Sequence, residues 1–232
     1  MHGCLPEVIE VSPALTLRKW RVEDAPTYYA ALNKSREFLV KTLPQRAVPA
    51  TLEEAAAKVE MVVAQWETRE SFQYFIWGSS NGKDTTVKRT EDGAMRSDGD
   101  NILGAISLFN RHGVGSLEVG FWIAESHIRQ GIATRTSLAL CLAAFEGLTF
   151  NTSSGSEGSE YEGKTSLHSL EIYHDTFVEE KSGGVARKLL FQRIEESKYD
   201  PGPGPICSGI LVRWKLPVAN YEDLKTMQKQ QQ

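Results

Sequence analysis

Cysteine is scarce in this chain: three residues in 232, at Cys4, Cys141 and Cys207. The number is odd and the spacings match neither a metal-ligand pair nor a redox pair. A disulfide-stapled secreted scaffold and a thiolate metal site are therefore set aside. Cys141 stands within Leu138–Leu142 and reads as core packing. An excess of basic charge is also missing. Lys plus Arg total 26 against 30 for Asp plus Glu, a formal charge of −4, and no basic stripe appears, so no nucleic-acid partner is expected. No apolar run reaches the ~20 residues of a membrane span, and the N-terminus lacks the charged-then-apolar pattern of a secretory signal. These absences point to a soluble, reducing, cytoplasmic setting with no membrane partner. Asn151-Thr152-Ser153 fits the glycosylation sequon, but a cytoplasmic chain does not present it to that machinery.

What is present is ordinary globular composition, 41% hydrophobic and 24% charged, enough for one well-filled core. No linker divides the apolar segments into balanced halves. The expectation is a single domain over residues 1–232, with its core at about 15–215 and polar insertions at 79–101 and 151–166.

The periodicities supply a coarse element order. Leu15–Trp20 alternates as a first strand, and Glu23-Asp24 opens a helix carrying Ala25, Tyr28, Tyr29 and Leu32. Thr51 with Glu54 is a capping box, and Ala55, Val59, Val62, Val63 and Trp66 follow at helical spacing. Phe72–Trp77 and Ile102–Phe109 are β-rich runs. Leu117, Val119, Phe121 and Ile123 alternate with Glu118, Gly120 and Trp122. Residues 131–147 form a helix apolar on almost every side, which predicts burial. A strand over Leu167–His174, a helix over Ser182–Leu190, a Pro/Gly hairpin or loop from Tyr199 to Pro205 and a last strand at Ile210–Trp214 complete the chain, and the Gln-rich tail reads as frayed. The order predicts a mixed α/β (α+β-like) sandwich, not a doubly wound fold.

Gly158–Thr165 matches the phosphate-loop pattern letter for letter. That motif needs a strand before it and a helix after it. Here a polar insertion precedes it, a strand pattern follows, and Glu160 and Glu162 would turn negative charge towards a polyphosphate. The match is rejected as a nucleotide site.

The informative segment is the turn Arg129-Gln130-Gly131-Ile132-Ala133-Thr134, between the strand ending at Ile123 and the apolar helix. Amides at a helix start are unpaired donors and the helix dipole adds ~0.5 of a positive charge there, so an anion fits that end. Gly131 lets backbone approach closely, Ala133 keeps the first turn small, and Arg129 and Arg135 add charge. Alone, the pattern is a weak signal, and a solvated helix start with incidental arginines accounts for it better.

Arg129–Thr134 resembles the pyrophosphate-binding motif (Gln/Arg)-x-x-Gly-x-(Gly/Ala) of the GNAT superfamily of N-acetyltransferases. Leu117–Ile123 is similar to the Glu-Ile-Gly-Tyr-Trp strand of its ribosomal-protein-type N-terminal acetyltransferase branch (RimJ/RimL-like). Ser182–Phe191 resembles that branch's Ser-x-x-Val-Ala-x-Lys-Leu-Gly-Phe helix, and Leu17–Trp20 with Glu23–Ala25 resembles its opening. The departures are specific. Ile128 stands at the family's Gln/Arg position, the turn holds one glycine instead of two, and Glu179 replaces an Asn. Leu190 replaces a Gly, Ala186 replaces the Tyr that many members use as acid, and Thr42 replaces a Trp.

The resemblance implies a GNAT fold: a central, mostly antiparallel twisted sheet of about six or seven strands with about four flanking helices. The sheet should splay near residues 117–124 and 167–174. It implies acetyl-CoA as co-substrate, no metal, and direct attack of a primary amine on the thioester in a ternary complex. Pantetheine would lie along Trp122, Ile123 and Ala124, and the pyrophosphate on Arg129, Gln130, Gly131, Ile132, Ala133 and Thr134. Ser182 matches the serine placed near the thiol; donation to the leaving sulfur and a plain helix N-cap both stay open. Glu118, on the polar face of its strand, is the candidate base, and a solvated strand glutamate is its alternative. Glu171 is a weaker candidate by the same logic. No chemistry is assigned to His112, His127, His168 or His174. The acceptor stays open between a protein N-terminus and a small-molecule amine, and a non-catalytic CoA- or protein-binding member of the fold is the competing reading. Trp20, Tyr28, Tyr29, Trp66 and Trp77 are read first as core.

Overall fold

The computed structural model describes residues 2–41, 43, 48–79, 88–89, 95–96, 100–110, 115–149, 170–176, 182–199 and 209–230. The phosphate-loop match, the sequon, the 151–166 insertion, Thr42, His112, His168, Glu179 and Cys207 lie outside these residues.

In chain order, β1 (His2–Gly3), β2 (Val8–Ser12) and β3 (Leu15–Lys19) precede α1 (Ala25–Lys34), α2 (Arg36–Leu39) and α3 (Leu52–Glu67). Then come β4 (Ser71–Ser79), β5 (Lys88–Arg89), β6 (Met95–Arg96), β7 (Asp100–Phe109), β8 (Ser116–Ile123), α4 (Ile132–Gly147) and β9 (Leu148–Thr149). The chain ends with β10 (Glu171–Thr176), α5 (Gly183–Lys188), β11 (Gln192–Tyr199), β12 (Gly209–Leu216) and α6 (Tyr221–Lys229). Eight strands form one sheet in the order β11-β12-β10-β8-β7-β4-β3-β2. Every pair in it is antiparallel except β8 with β10, which is parallel. The class and the mostly antiparallel sheet match expectation. The strand count is higher because both edges, β2 and β11, went unread. An edge strand has one neighbour and shows polar residues to water, which weakens alternation. All of β11 with a described side chain is exposed, and β2 is half-buried at most.

Each face of the sheet carries a core. On one, α4 packs Leu138, Leu140, Leu142 and Phe145 against Leu117, Val119, Ile106 and Tyr74. On the other, α1 and α3 pack Tyr28, Leu32, Ala55, Val59 and Val62 against Phe75 and Ala105. The start of α3 follows its sequence signal. Thr51 Oγ1 accepts from the Glu54 amide at 3.1 Å, and Glu54 reaches back to the Ala50 amide at 2.7 Å. Cys141 is buried in the α4 core, where burial pushes its thiol up to about 12. The tail is not frayed before residue 230. Leu224 anchors α6 in the α4 core, and Tyr221 donates to Glu146 at 2.6 Å.

Strands β7 and β8 meet closely at Gly104. A Cβ there would stand 2.1 Å from the Trp122 carbonyl oxygen, so only glycine fits. This contact sets the height of the β8 end, where the candidate site begins.

Candidate functional site

The parallel ladder between β8 and β10 is short. It pairs Ser116 with Glu171, Leu117 with Ile172 and Glu118 with Tyr173, and then stops. From Val119 onward β8 stays bonded to β7, and from His174 onward β10 stays bonded to β12. The two strands therefore part in the middle of the sheet, and the splay falls inside the expected residues.

The opening leads to the start of α4. Arg129 and Gly131 both adopt left-handed backbone, φ +61° and +75°, with Gln130 between them outside that region. Such alternation turns successive amides towards one point, the geometry of an anion nest. The first helical bond runs from the Arg135 amide to the Gly131 carbonyl at 3.0 Å. The amides of Ile132, Ala133 and Thr134 thus precede the helical ladder and keep their donors. A Cβ on Gly131 would meet nothing within 4 Å, so the glycine answers to φ and not to crowding. Arg129 occupies a backbone position that favours glycine, so the turn holds one glycine where its backbone would suit two. Gln130 closes the turn by donating to the Ser126 carbonyl at 3.1 Å, while Ile128 is exposed and adds no charge. The Ser35 hydroxyl, buried between α1 and α2, accepts from the Glu125 amide at 2.9 Å and pins this turn to the other face of the sheet.

The residues of β8 divide by face as their alternation requires. Leu117, Val119 and Ile123 are buried on the α4 side. Glu118, Gly120 and Trp122 are half-buried on the other side, and Trp122 lies 6.4 Å from the Tyr28 ring. Ile123 and Ala124 are buried, and the Ala124 amide is already bonded to the Leu103 carbonyl at 2.7 Å. Across the opening, Ser182 immediately precedes α5. Its side chain makes no capping bond, so the N-cap alternative has no hydrogen bond behind it. Glu171, the weaker candidate, is occupied: it accepts from Tyr173 at 2.6 Å and from Lys215, which hold its carboxyl below the usual range. Asp175 takes a bidentate bond from Arg213, and Glu118 adds to the negative field around that guanidinium.

The sequence reading passed over His174. It stacks on Phe121, with ring centroids 5.3 Å apart, and stands edge-on to Phe191. Its Nδ1 lies 2.9 Å from the Val119 carbonyl oxygen. Burial pushes its pKa below the ordinary value of 6.5, against the Val119 carbonyl, Asp175 and the Ser182 backbone, which favour the charged ring. The available signal was periodicity, since Ile172, His174 and Thr176 share the inward face of β10. Of the aromatic residues read as core, Trp20, Tyr28 and Trp66 are buried; Tyr29 and Trp77 are half-buried. Among the described residues no group of three or more His, Cys, Asp or Glu side chains is arranged to hold a metal, and no helix is long and apolar enough to cross a membrane.

Comparison with solved structures returns the same architecture. The microcin C7 self-immunity acetyltransferase, solved with acetyl-CoA and AMP, is 14% identical, with 93% of this chain and 98% of that one covered at a TM-score of 0.66. The ribosomal L7/L12 α-N-protein acetyltransferase RimL, solved with coenzyme A, is 16% identical over 91% and 98% of the two chains at 0.66. Mycobacterium smegmatis RimJ, solved with CoA-disulfide, is 15% identical over 93% and 90% at 0.66. At such identities the likeness shows the fold. No curated protein matches the chain. A sequence profile of the acetyltransferase (GNAT) domain matches residues 14–192, most of the length and every strand of the opening. This chain belongs to the acetyltransferase (GNAT) domain family.

Proposed function

We propose that this chain, acting as one domain in the cytoplasm, is an acetyl-CoA-dependent N-acetyltransferase. It moves an acetyl group to a primary amine by direct attack in a ternary complex. The observation that carries this reading is the succession of two features along one segment: a parallel ladder that stops at Glu118 and Tyr173, and, after the end of β8, a helix start whose first amides precede the helical bonds. A long thiol ester with a charged end fits such a slot. Its pyrophosphate would rest on the amides of residues 129–134 with Arg129 alongside, and its pantetheine would enter past Trp122, Ile123 and Ala124. Solved relatives of the same fold hold acetyl-CoA or coenzyme A, which supports the choice of co-substrate.

In the reaction the amine nitrogen attacks the thioester carbon, the carbon–sulfur bond breaks, and the amine proton must leave while the thiolate gains one. Glu118 is the proposed base, directly or through water. It stands on the half-buried face of β8, away from the α4 core. Ser182 is the proposed donor to the leaving sulfur, supported by a hydroxyl that caps nothing. The acceptor is a protein N-terminus or a small-molecule amine. The first is supported by relatives that modify ribosomal proteins.

One observation favours a second reading, a non-catalytic member that binds CoA or a protein partner. Ala186, where many family members carry an acid tyrosine, is fully buried in the core and offers no proton. Turnover separates the two. Acetyl-CoA should bind and be consumed with a panel of amines and peptides, releasing free thiol. Binding without thiol release across the panel selects the second reading, and no binding at all sinks both as far as CoA is concerned.

A further inference from the structure

His174 is buried to 5% exposure at the fork where β8 and β10 part. A carbonyl oxygen only accepts, so the 2.9 Å contact with Val119 requires the proton on Nδ1. In the neutral ring Nε2 then carries a lone pair. That atom is buried and no described residue meets it at hydrogen-bond geometry. The Ser182 backbone lies close enough to favour a charged ring without supplying such a bond. Buried polar atoms are nearly always paired, so a bare acceptor here calls for an explanation.

Its position supplies one. Glu118 is the last β8 residue paired to β10, and Val119 is the next. A ladder that continued would give the Val119 carbonyl a backbone donor from β10. The imidazole takes that carbonyl instead. The flat ring between Phe121 and Phe191 occupies the space in which the strands would otherwise close. Nε2, which no described residue meets at hydrogen-bond geometry, is left on the Ser182 side of the ring.

We propose that His174 is the positioning residue that holds the sheet open, and that its Nε2 accepts a hydrogen bond from an N–H of the pantetheine arm when coenzyme A binds. The second half rests on the acetyl-CoA reading above; the first does not. A ring that merely fills space would work equally well as phenylalanine.

The test uses the full chain with imidazole nitrogens labelled, and coenzyme A as the probe. The nitrogen spectrum should show the rarer neutral tautomer, protonated at Nδ1 and bare at Nε2, and the Nε2 resonance should move on saturation with coenzyme A. His174→Phe should weaken coenzyme A binding by about tenfold or more, and His174→Asn, which keeps a donor near Val119 but places no acceptor at the Nε2 position, should recover only part of that loss. A proton found on Nε2 overturns the sheet-opening role. An Nε2 resonance indifferent to bound coenzyme A, or wild-type affinity in His174→Phe, overturns the cofactor contact. The spectrum needs no variant, so it decides even where His174→Phe fails to fold. A wild-type protein that binds no coenzyme A defeats the functional reading and the cofactor contact together, while the tautomer still decides the first half.

Discussion

The opening between β8 and β10 has two ends made of different material. At the α4 end the proposed phosphate site is backbone: left-handed turns at Arg129 and Gly131, and amides ahead of the helical ladder. Arg129, Gln130 and Gly131 themselves are exposed. At the β10 end the parts are buried side chains, His174 between Phe121 and Phe191 with Val119 as its anchor. Backbone donors tolerate many side chains but not a change of conformation or charge at the turn. A buried side-chain wedge tolerates neither loss of its donor nor a change of shape. The two ends should therefore fail in different ways.

The largest effect is expected at the backbone end, and on binding. Gly131→Glu places a carboxylate beside amides that are read as a phosphate site, and it should cost coenzyme A more than about a hundredfold in affinity, near 3 kcal/mol. Gly131→Ala is the control. Its methyl enters open space, so it should cost about 1 kcal/mol of folding stability as φ strain and leave coenzyme A affinity nearly unchanged. Titration calorimetry with both variants settles the point: equal losses mean conformation, not charge, governs this end.

Between the two ends the wall is set by Gly104. Its missing Cβ lets β7 approach the Trp122 carbonyl. Gly104→Ala should destabilise the fold by about 2 kcal/mol through forced backbone shifts. Coenzyme A affinity should fall with it, because the shift falls on the strand end that leads to the turn. Urea melts with and without coenzyme A measure both. A stable variant with unchanged affinity would show that the β7–β8 contact does not shape the opening.

The side-chain end should respond to acid. His174 has a folded pKa held below 6.5, chiefly by burial. Below pH 6.5 the unfolded chain takes up a proton that the folded ring refuses, so stability is full above 6.5 and falls with pH. The slope is up to about 1.4 kcal/mol per pH unit until the buried ring protonates. Glu171 shifts in the same direction for stability, but its window opens only below 4.5, so the two separate cleanly. Melts between pH 5.5 and 7.5 should show the slope in the wild type and its loss in His174→Asn. A slope that survives in the variant belongs to another group.

The same division explains what could be read from the sequence. The elements at the α4 end were legible because their signals are local: a strand alternating from Leu117 to Ile123, a glycine, then sixteen residues of helix apolar on most sides. The N-cap at Thr51 was legible for the same reason, although Glu54 reaches back to the Ala50 amide and not to that of Thr51. The β10 end was not. His174 meets Val119 across 55 residues and Phe191 across a turn, and neither contact leaves a mark on the residues near it in sequence. Ser35 meets Glu125 across 90 residues and was equally hidden. The edge strands were missed because β11 faces water and β2 is only half-buried, and α6 because its one buried anchor, Leu224, sits among polar neighbours.

The finest test compares two residues that break one rule at the two ends. Arg129 and Leu190 both hold left-handed backbone, at φ +61° and +62°, where glycine is at ease. Leu190 follows α5, is 37% exposed, and its carbonyl accepts from Asn220 at 3.0 Å. Relief of the strain is worth about 1 to 2 kcal/mol, and the extra freedom glycine gives the unfolded chain takes back about 0.5 to 1. Leu190→Gly should therefore stabilise the protein by about 0.5 kcal/mol and leave coenzyme A affinity alone. Arg129→Gly should stabilise by a similar amount through the same backbone effect, yet weaken coenzyme A binding, more so at low salt, because a cation leaves the phosphate end. Melting and titration of the pair at two salt concentrations read both quantities. If Arg129→Gly binds as tightly as Leu190→Gly at low salt, the arginine is a strained bystander and the backbone amides alone make that end of the site.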